Sequence, residues 1–144
     1  MTILNDAVIK NFELAREVLT NYDYSVVVIS NGKILSNKKG NVIQAMLELI
    51  DETGDTLNES IIGVRLLGRS TSLLCRHDKV KGVYSPKGTK TGIALLIMGG
   101  VPCQVDELIP FIINQDYDEF SLYENMLKDI ISPEEAYKIL KKIV

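Results

Sequence analysis

The chain has 144 residues, with 16 Lys and Arg against 19 Asp and Glu, a formal net charge of −3, one histidine, two cysteines and no tryptophan. A length near ~150 residues suits a single domain, residues 1–144, and about 70% of the unfolded surface is buried at that size, so the core needs no staple. The acidic balance excludes the basic footprint of a nucleic-acid partner, and two cysteines are too few for a disulfide framework, which points to a reducing, cytoplasmic compartment.

Met1 to Asp6 carries no basic stretch ahead of an apolar run, so no secretory signal is expected, and no apolar run approaches the ~20 residues of a membrane span. From about Asp6 to Thr20, Val8, Ile9, Phe12, Ala15 and Leu19 recur at three- and four-residue steps, predicting an amphipathic helix capped by Asn5 or Asp6. Tyr24 to Ser30 and Lys33 to Ser36 flank Asn31-Gly32, the pair that a type I′ hairpin turn favours. Asn41 then caps a helix over Val42 to Ile50, which ends in the polar stretch Asp51 to Asp55.

A further helix is expected from about Ile62 to Cys75, interrupted by the hydroxyl-rich insert Gly68-Arg69-Ser70-Thr71-Ser72. A short strand, Val80 to Ser85, leads into a loop, Pro86 to Thr91, and Thr89 or Thr91 caps a helix over Gly92 to Met98 that closes at Gly99-Gly100. Val101 to Val105 reads as an edge strand, Asn114 to Asp118 as a polar loop, and Ser121 to Asp129 as a helix. Ser132-Pro133-Glu134-Glu135 is a strong start for the last helix, with a serine cap, a first-turn proline and a glutamate at the third position. Strands alternating with helices give an α/β fold, with an antiparallel hairpin first and a more parallel half after it.

The order of elements is that of a cytidine-deaminase-like sandwich. The zinc signatures of such an enzyme are not met: His77 is followed by Asp78 and Lys79 with no glutamate at the required spacing, and Pro102-Cys103 has Asp106 where a second thiolate belongs. Metal is therefore not expected, although Cys75, His77, Cys103 and Asp106 leave an improvised site open. A single histidine also restricts Ser/His or Cys/His catalysis, since every such arrangement needs His77.

More chemistry attaches to anions. The segment ending in Lys87-Gly88-Thr89-Lys90-Thr91 stands between a strand and a helix start, where free N–H groups favour negative charge, although it is equally an ordinary solvated turn with capping threonines. Arg69 is a second anion contact or a residue snorkelling from its helix. Asn114, Asp116 and Glu124 form a third group, in which Asp116 and Glu124 are the acid/base candidates; a turn aspartate and a helix-face charge are the plainer alternatives.

Leu66-Leu67-Gly68-Arg69-Ser70, Leu47 to Asp51, Leu108-Ile109-Pro110-Phe111-Ile112-Ile113-Asn114-Gln115-Asp116, Glu124, and Pro133 to Tyr137 together resemble the domain-of-unknown-function family 1893, from about Leu14 to Leu140. The resemblance implies a three-layer α-β-α sandwich with a mixed sheet of about five strands, without zinc motifs, cofactor or assigned activity. Gly68 and Arg69 match a Val-Val-Gly-Lys-Ala pattern with arginine for lysine, while Asn114 and Asp116 match Ile-Ile-Asn-x-Asp. Glu124 matches the glutamate of Cys-Pro-Met-Glu. Ser121 replaces that cysteine and Val64 an aspartate, which removes any chemistry resting on those two side chains. The implied fold turns the Arg69 and Lys87 to Thr91 segments to one cleft. The expected function is then binding of a small anionic or nucleotide-type ligand: Arg69, Lys87 and Lys90 hold the anion, Ser70, Thr89 and Thr91 donate hydrogen bonds, and Asn114 and Asp116 read a base or sugar edge. The alternatives are a nucleotide-processing transferase or hydrolase using Asp116 or Glu124, and a homo-oligomeric interaction module built on the Val101 to Val105 edge or an apolar helix face.

Overall fold

The structure is a computed structural model, and it describes residues 6–110 and 118–143; the side chains of residues 55, 56 and 118–121 are not described. The elements in chain order are α1 (Asp6–Asn21), β1 (Val26–Ser30), β2 (Lys33–Lys38), α2 (Val42–Thr53), a 3-10 segment (Gly54–Glu59), β3 (Ile61–Val64), α3 (Arg69–His77), β4 (Gly82–Thr89), α4 (Lys90–Met98), β5 (Cys103–Ile109), α5 (Asp118–Met126) and α6 (Pro133–Ile143). One mixed sheet runs in the order β2-β1-β3-β4-β5. β1 pairs antiparallel with β2 and β3, whereas β3, β4 and β5 are parallel.

Alternation along the strands divides the core in two, because successive side chains point to opposite faces. Val27, Ile29, Ile61 and Tyr84 pack with Phe12, Ala15, Val18 and Leu19 of α1 on one side. Val26, Val28, Ile62, Val64 and Val83 pack with residues of α2, α3, α4 and α6 on the other. Arg65, just after β3, fastens the end of α1 by donating to the carbonyls of Leu19, Tyr22 and Tyr24.

Several expected elements appear as read. Asn31 and Gly32 both take positive φ in the hairpin turn, Asn41 Oδ1 accepts from Gln44 N at the start of α2, and Ser132 Oγ accepts from Glu135 N at the start of α6. The edge strand expected over Val101 to Val105 is β5, which runs instead from Cys103 to Ile109 and so takes in Leu108-Ile109.

Two expectations are corrected. The helix expected over Ile62 to Cys75 is instead a strand, β3, followed by α3. Ile61-Ile62-Gly63-Val64 is a fully buried four-residue run between β1 and β4, and a Cβ on Gly63 would stand 2.7 Å from Val27 Cγ1 and 3.1 Å from Ala15 Cβ. The hydroxyl-rich stretch is thus the beginning of α3 rather than an interruption. The loop expected from Pro86 to Thr91 is the continuation of β4, which stays paired with β5 as far as Thr89 opposite Ile109. That pairing satisfies backbone groups that a loop would leave to water.

Candidate functional site

The parallel strands β3 and β4 each lead into a helix on the same side of the sheet, so the starts of α3 and α4 lie together beyond the strand ends, where open α/β sheets bind ligands. Leu67 N donates to Lys87 O and Thr89 N to Leu67 O, both at 2.9 Å, which joins the turn before α3 to the end of β4. A Cβ on Gly92 would meet the Gly68 backbone at 3.0 Å, and Ser72 Oγ donates to Gly92 O at 2.7 Å. Only residues without side chains permit that approach.

In the first turn of α3, Ser70, Thr71 and Ser72 are fully buried and their hydroxyls are all engaged. Gly68 N donates to Thr71 Oγ1 at 2.8 Å. Glu124, reaching over from α5, accepts from Arg69 N at 2.7 Å through Oε1 and from Ser70 N at 2.9 Å through Oε2, with Ser70 Oγ 3.3 Å away. A carboxylate is therefore seated on the free N–H groups of a helix start. Burial pushes the Glu124 carboxyl above its ordinary range, against the pull of those hydrogen bonds and of Arg69. The Arg69 guanidinium turns away and donates to the carbonyl of Ile130, pinning the chain between α5 and α6.

The other expected residues are distributed around this point. Thr89 caps α4, its hydroxyl accepting from Gly92 N at 3.0 Å. Lys90 and Thr91 are exposed on the first turn of α4. Lys87 is exposed and lies 3.9 Å from Glu107 on the neighbouring strand. Asn114 and Asp116 fall outside the described residues, as does the side chain of Ser121.

The improvised metal site does not assemble. Cys75 is buried in the core on the side of α3, with its thiol pushed up to about 12 by burial. Asp106 faces the α1 side, where it accepts from the Arg16 guanidinium and from Tyr84 OH. Among the described residues no group of three or more His, Cys, Asp and Glu is placed to hold a metal ion.

Residue-by-residue reading missed two groupings. The Arg16, Tyr84 and Asp106 set joins α1, β4 and β5, and nothing in the local spacing brings residues 90 apart together. The second surrounds His77: Nδ1 lies 2.7 Å from Asp78 Oδ1, Nε2 lies 3.6 Å from Glu134 Oε2, and the ring stacks on Tyr137 at 4.2 Å. Adjacent His77-Asp78 was the available signal for that one.

The model of a family described as TM1506, domain of unknown function (DUF1893), matches residues 14–144. The chain belongs to this family. The crystal structure of a DUF1893 family protein (TM1506) from Thermotoga maritima superposes with a TM-score of 0.84 at 19% identity, covering 99% of this chain and 93% of that one. At that identity the likeness extends to the fold. No curated protein matches the sequence. No helix among the described residues is long and apolar enough to cross a membrane.

Proposed function

We propose that this DUF1893 protein is a metal-free, cytidine-deaminase-like domain that binds a small anionic or nucleotide-type ligand where α3 and α4 begin, in a sensing or regulatory role. The observation that carries the reading is the Glu124 carboxylate on Arg69 N and Ser70 N: the first turn of α3 already holds an anion, supplied by the protein itself. A ligand's phosphate or carboxylate takes that place when Glu124 withdraws. Lys90 and Thr91, exposed on the adjoining turn of α4, lie on the approach. Arg69 joins them once released from Ile130, and Asn114 and Asp116 complete the ligand's recognition. Helix starts crowded together after two parallel strands support the deaminase-like assignment.

The test is a thermal-shift titration with inorganic phosphate and nucleoside mono- and triphosphates on the wild type and Glu124→Gln. Stabilisation of about 2.7 kcal/mol is expected at a ligand concentration 100 times Kd, with tighter binding in the variant, whose neutral side chain competes less for the helix start. No stabilisation of either protein by any of these probes rejects the reading. An enzyme using Asp116 or Glu124 as base is less favoured, because three donors already engage Glu124. Turnover surviving Asp116→Asn with Glu124→Gln would eliminate it.

Self-association is the second reading, supported by Ile97 and Met98 of α4, which are 66% and 67% exposed beside the edge strand β5. Sedimentation across a concentration series checks it: a dimer that Ile97→Lys with Met98→Lys dissociates is expected, and a monomer at every concentration rejects it.

A further inference from the structure

A groove of about 380 Å3 opens at the other end of α3, lined by Ile50, Gly54, Asn58, His77, Asp78 and Lys79. That volume lies within the range of about 300–1,000 Å3 usual for small-molecule sites. α3 ends in a complete Schellman motif: Lys79 N donates to Arg76 O at 3.1 Å and Val80 N to Cys75 O at 3.3 Å. The motif requires a left-handed residue, and glycine ordinarily supplies it because a Cβ there is strained. Here Lys79 supplies it, at φ +56°. The other left-handed non-glycine among the described residues, Asn31, sits in a hairpin turn that favours it.

The strained lysine stands beside an oriented imidazole. His77 Nδ1 lies 2.7 Å from Asp78 Oδ1, whose side chain is only 8% exposed, Nε2 lies 3.6 Å from Glu134 Oε2, and Tyr137 stacks on the ring, so the orientation of the imidazole is fixed. Lys79 is exposed, lines the groove and forms no ion pair with any described residue. Strained backbone, a preset imidazole and an unused cation converge on one concavity. Residues held in strained backbone conformations cluster at ligand clamps and active sites.

We propose that this groove is a second small-molecule site, independent of the one at the start of α3, for a small polar molecule with one phosphate or carboxylate group. Lys79 pairs with the anion as a point charge, and the Asn58 amide supplies hydrogen bonds to its polar body beside the His77 ring, whose nitrogens face Asp78 and Glu134. Ile50 contributes an apolar wall.

Lys79→Gly separates this role from a structural one, because glycine relieves the left-handed strain while removing the cation. The melting temperature of the variant is expected to equal or exceed that of the wild type by a few degrees. In the wild type, inorganic phosphate, glycerol 3-phosphate and succinate are titrated while the His77 ring and Asn58 side-chain NMR signals are followed. Saturable shifts with at least one probe are expected, weakened at least tenfold in Lys79→Gly and weakened also in Asn58→Ala. The proposal is overturned if no probe moves these signals, if Lys79→Gly binds as well as the wild type, or if Lys79→Gly is less stable, which would make the lysine a structural residue. Glu124→Gln leaves the shifts at His77 unchanged, so failure at one end of α3 is distinguishable from failure at the other.

Discussion

Two carboxylates, Asp106 and Glu124, show how one chemical group is driven in opposite directions by its surroundings. Asp106 is held below its ordinary range, first by hydrogen bonding to Arg16, while Tyr84, whose hydroxyl it accepts, is pushed up to about 12 by burial and by that contact. A lowered carboxyl stabilises the fold above its unfolded value and loses that contribution as pH falls through the folded one. Asp106→Asn should therefore cost about 0.5–1 kcal/mol at pH 7, modest because the pair is partly exposed, and the difference from wild type should shrink in urea melts as the pH is taken below the ordinary value of 3.8. Glu124 has the opposite sign. Burial raises it, so its contribution is full below the ordinary value of 4.5 and is lost as pH rises through the folded value. Melts of Glu124→Gln between pH 4 and 8 should accordingly move in favour of the variant as pH increases, and a constant difference would contradict the assignment. The sequence marked Glu124 as a candidate acid or base; that its partners are the backbone N–H groups of residues 69 and 70 follows from folding α5 across α3.

Among the secondary elements, the ones read well are those whose signals are local. Asn31-Gly32, Asn41 and Ser132-Pro133 each act within four residues, so hairpin, α2 and α6 emerge from the sequence. β3 was hidden for a physical reason: a four-residue strand buried on both faces has no alternation, and Ile62, Leu66 and Leu67 mimic helical spacing. Its distinguishing residue is Gly63, which lies under α1. Gly63→Ala should cost about 1–3 kcal/mol by overpacking against Val27 and Ala15, measured by denaturant unfolding. At the start of α4, Thr89→Ala removes the acceptor for Gly92 N and should cost about 1 kcal/mol, whereas Thr91→Ala, on an exposed position, should change stability little.

Across the molecule, the sheet is covered unequally. Among the described residues one helix, α1, covers one face, and residues of α2, α3, α4, α5 and α6 contribute to the core on the other. Phe12 is fully buried in the smaller core, so Phe12→Ala should cost about 3–5 kcal/mol. Hydrogen exchange should show α1 losing protection before α3 in that variant, since the α3 side keeps its own core. The sequence by itself determined the class of fold, the hairpin, the caps and the shortage of metal and nucleophilic ligands, because composition and short-range hydrogen bonding decide those. Tertiary structure alone decided that β3 lies between β1 and β4, that Glu124 closes the start of α3, and that Asn58 and Ile50 share a groove with His77 and Lys79. Each of those joins residues far apart in the chain, and no local pattern encodes such a contact; it arises when burying the two apolar faces of one sheet brings the segments together.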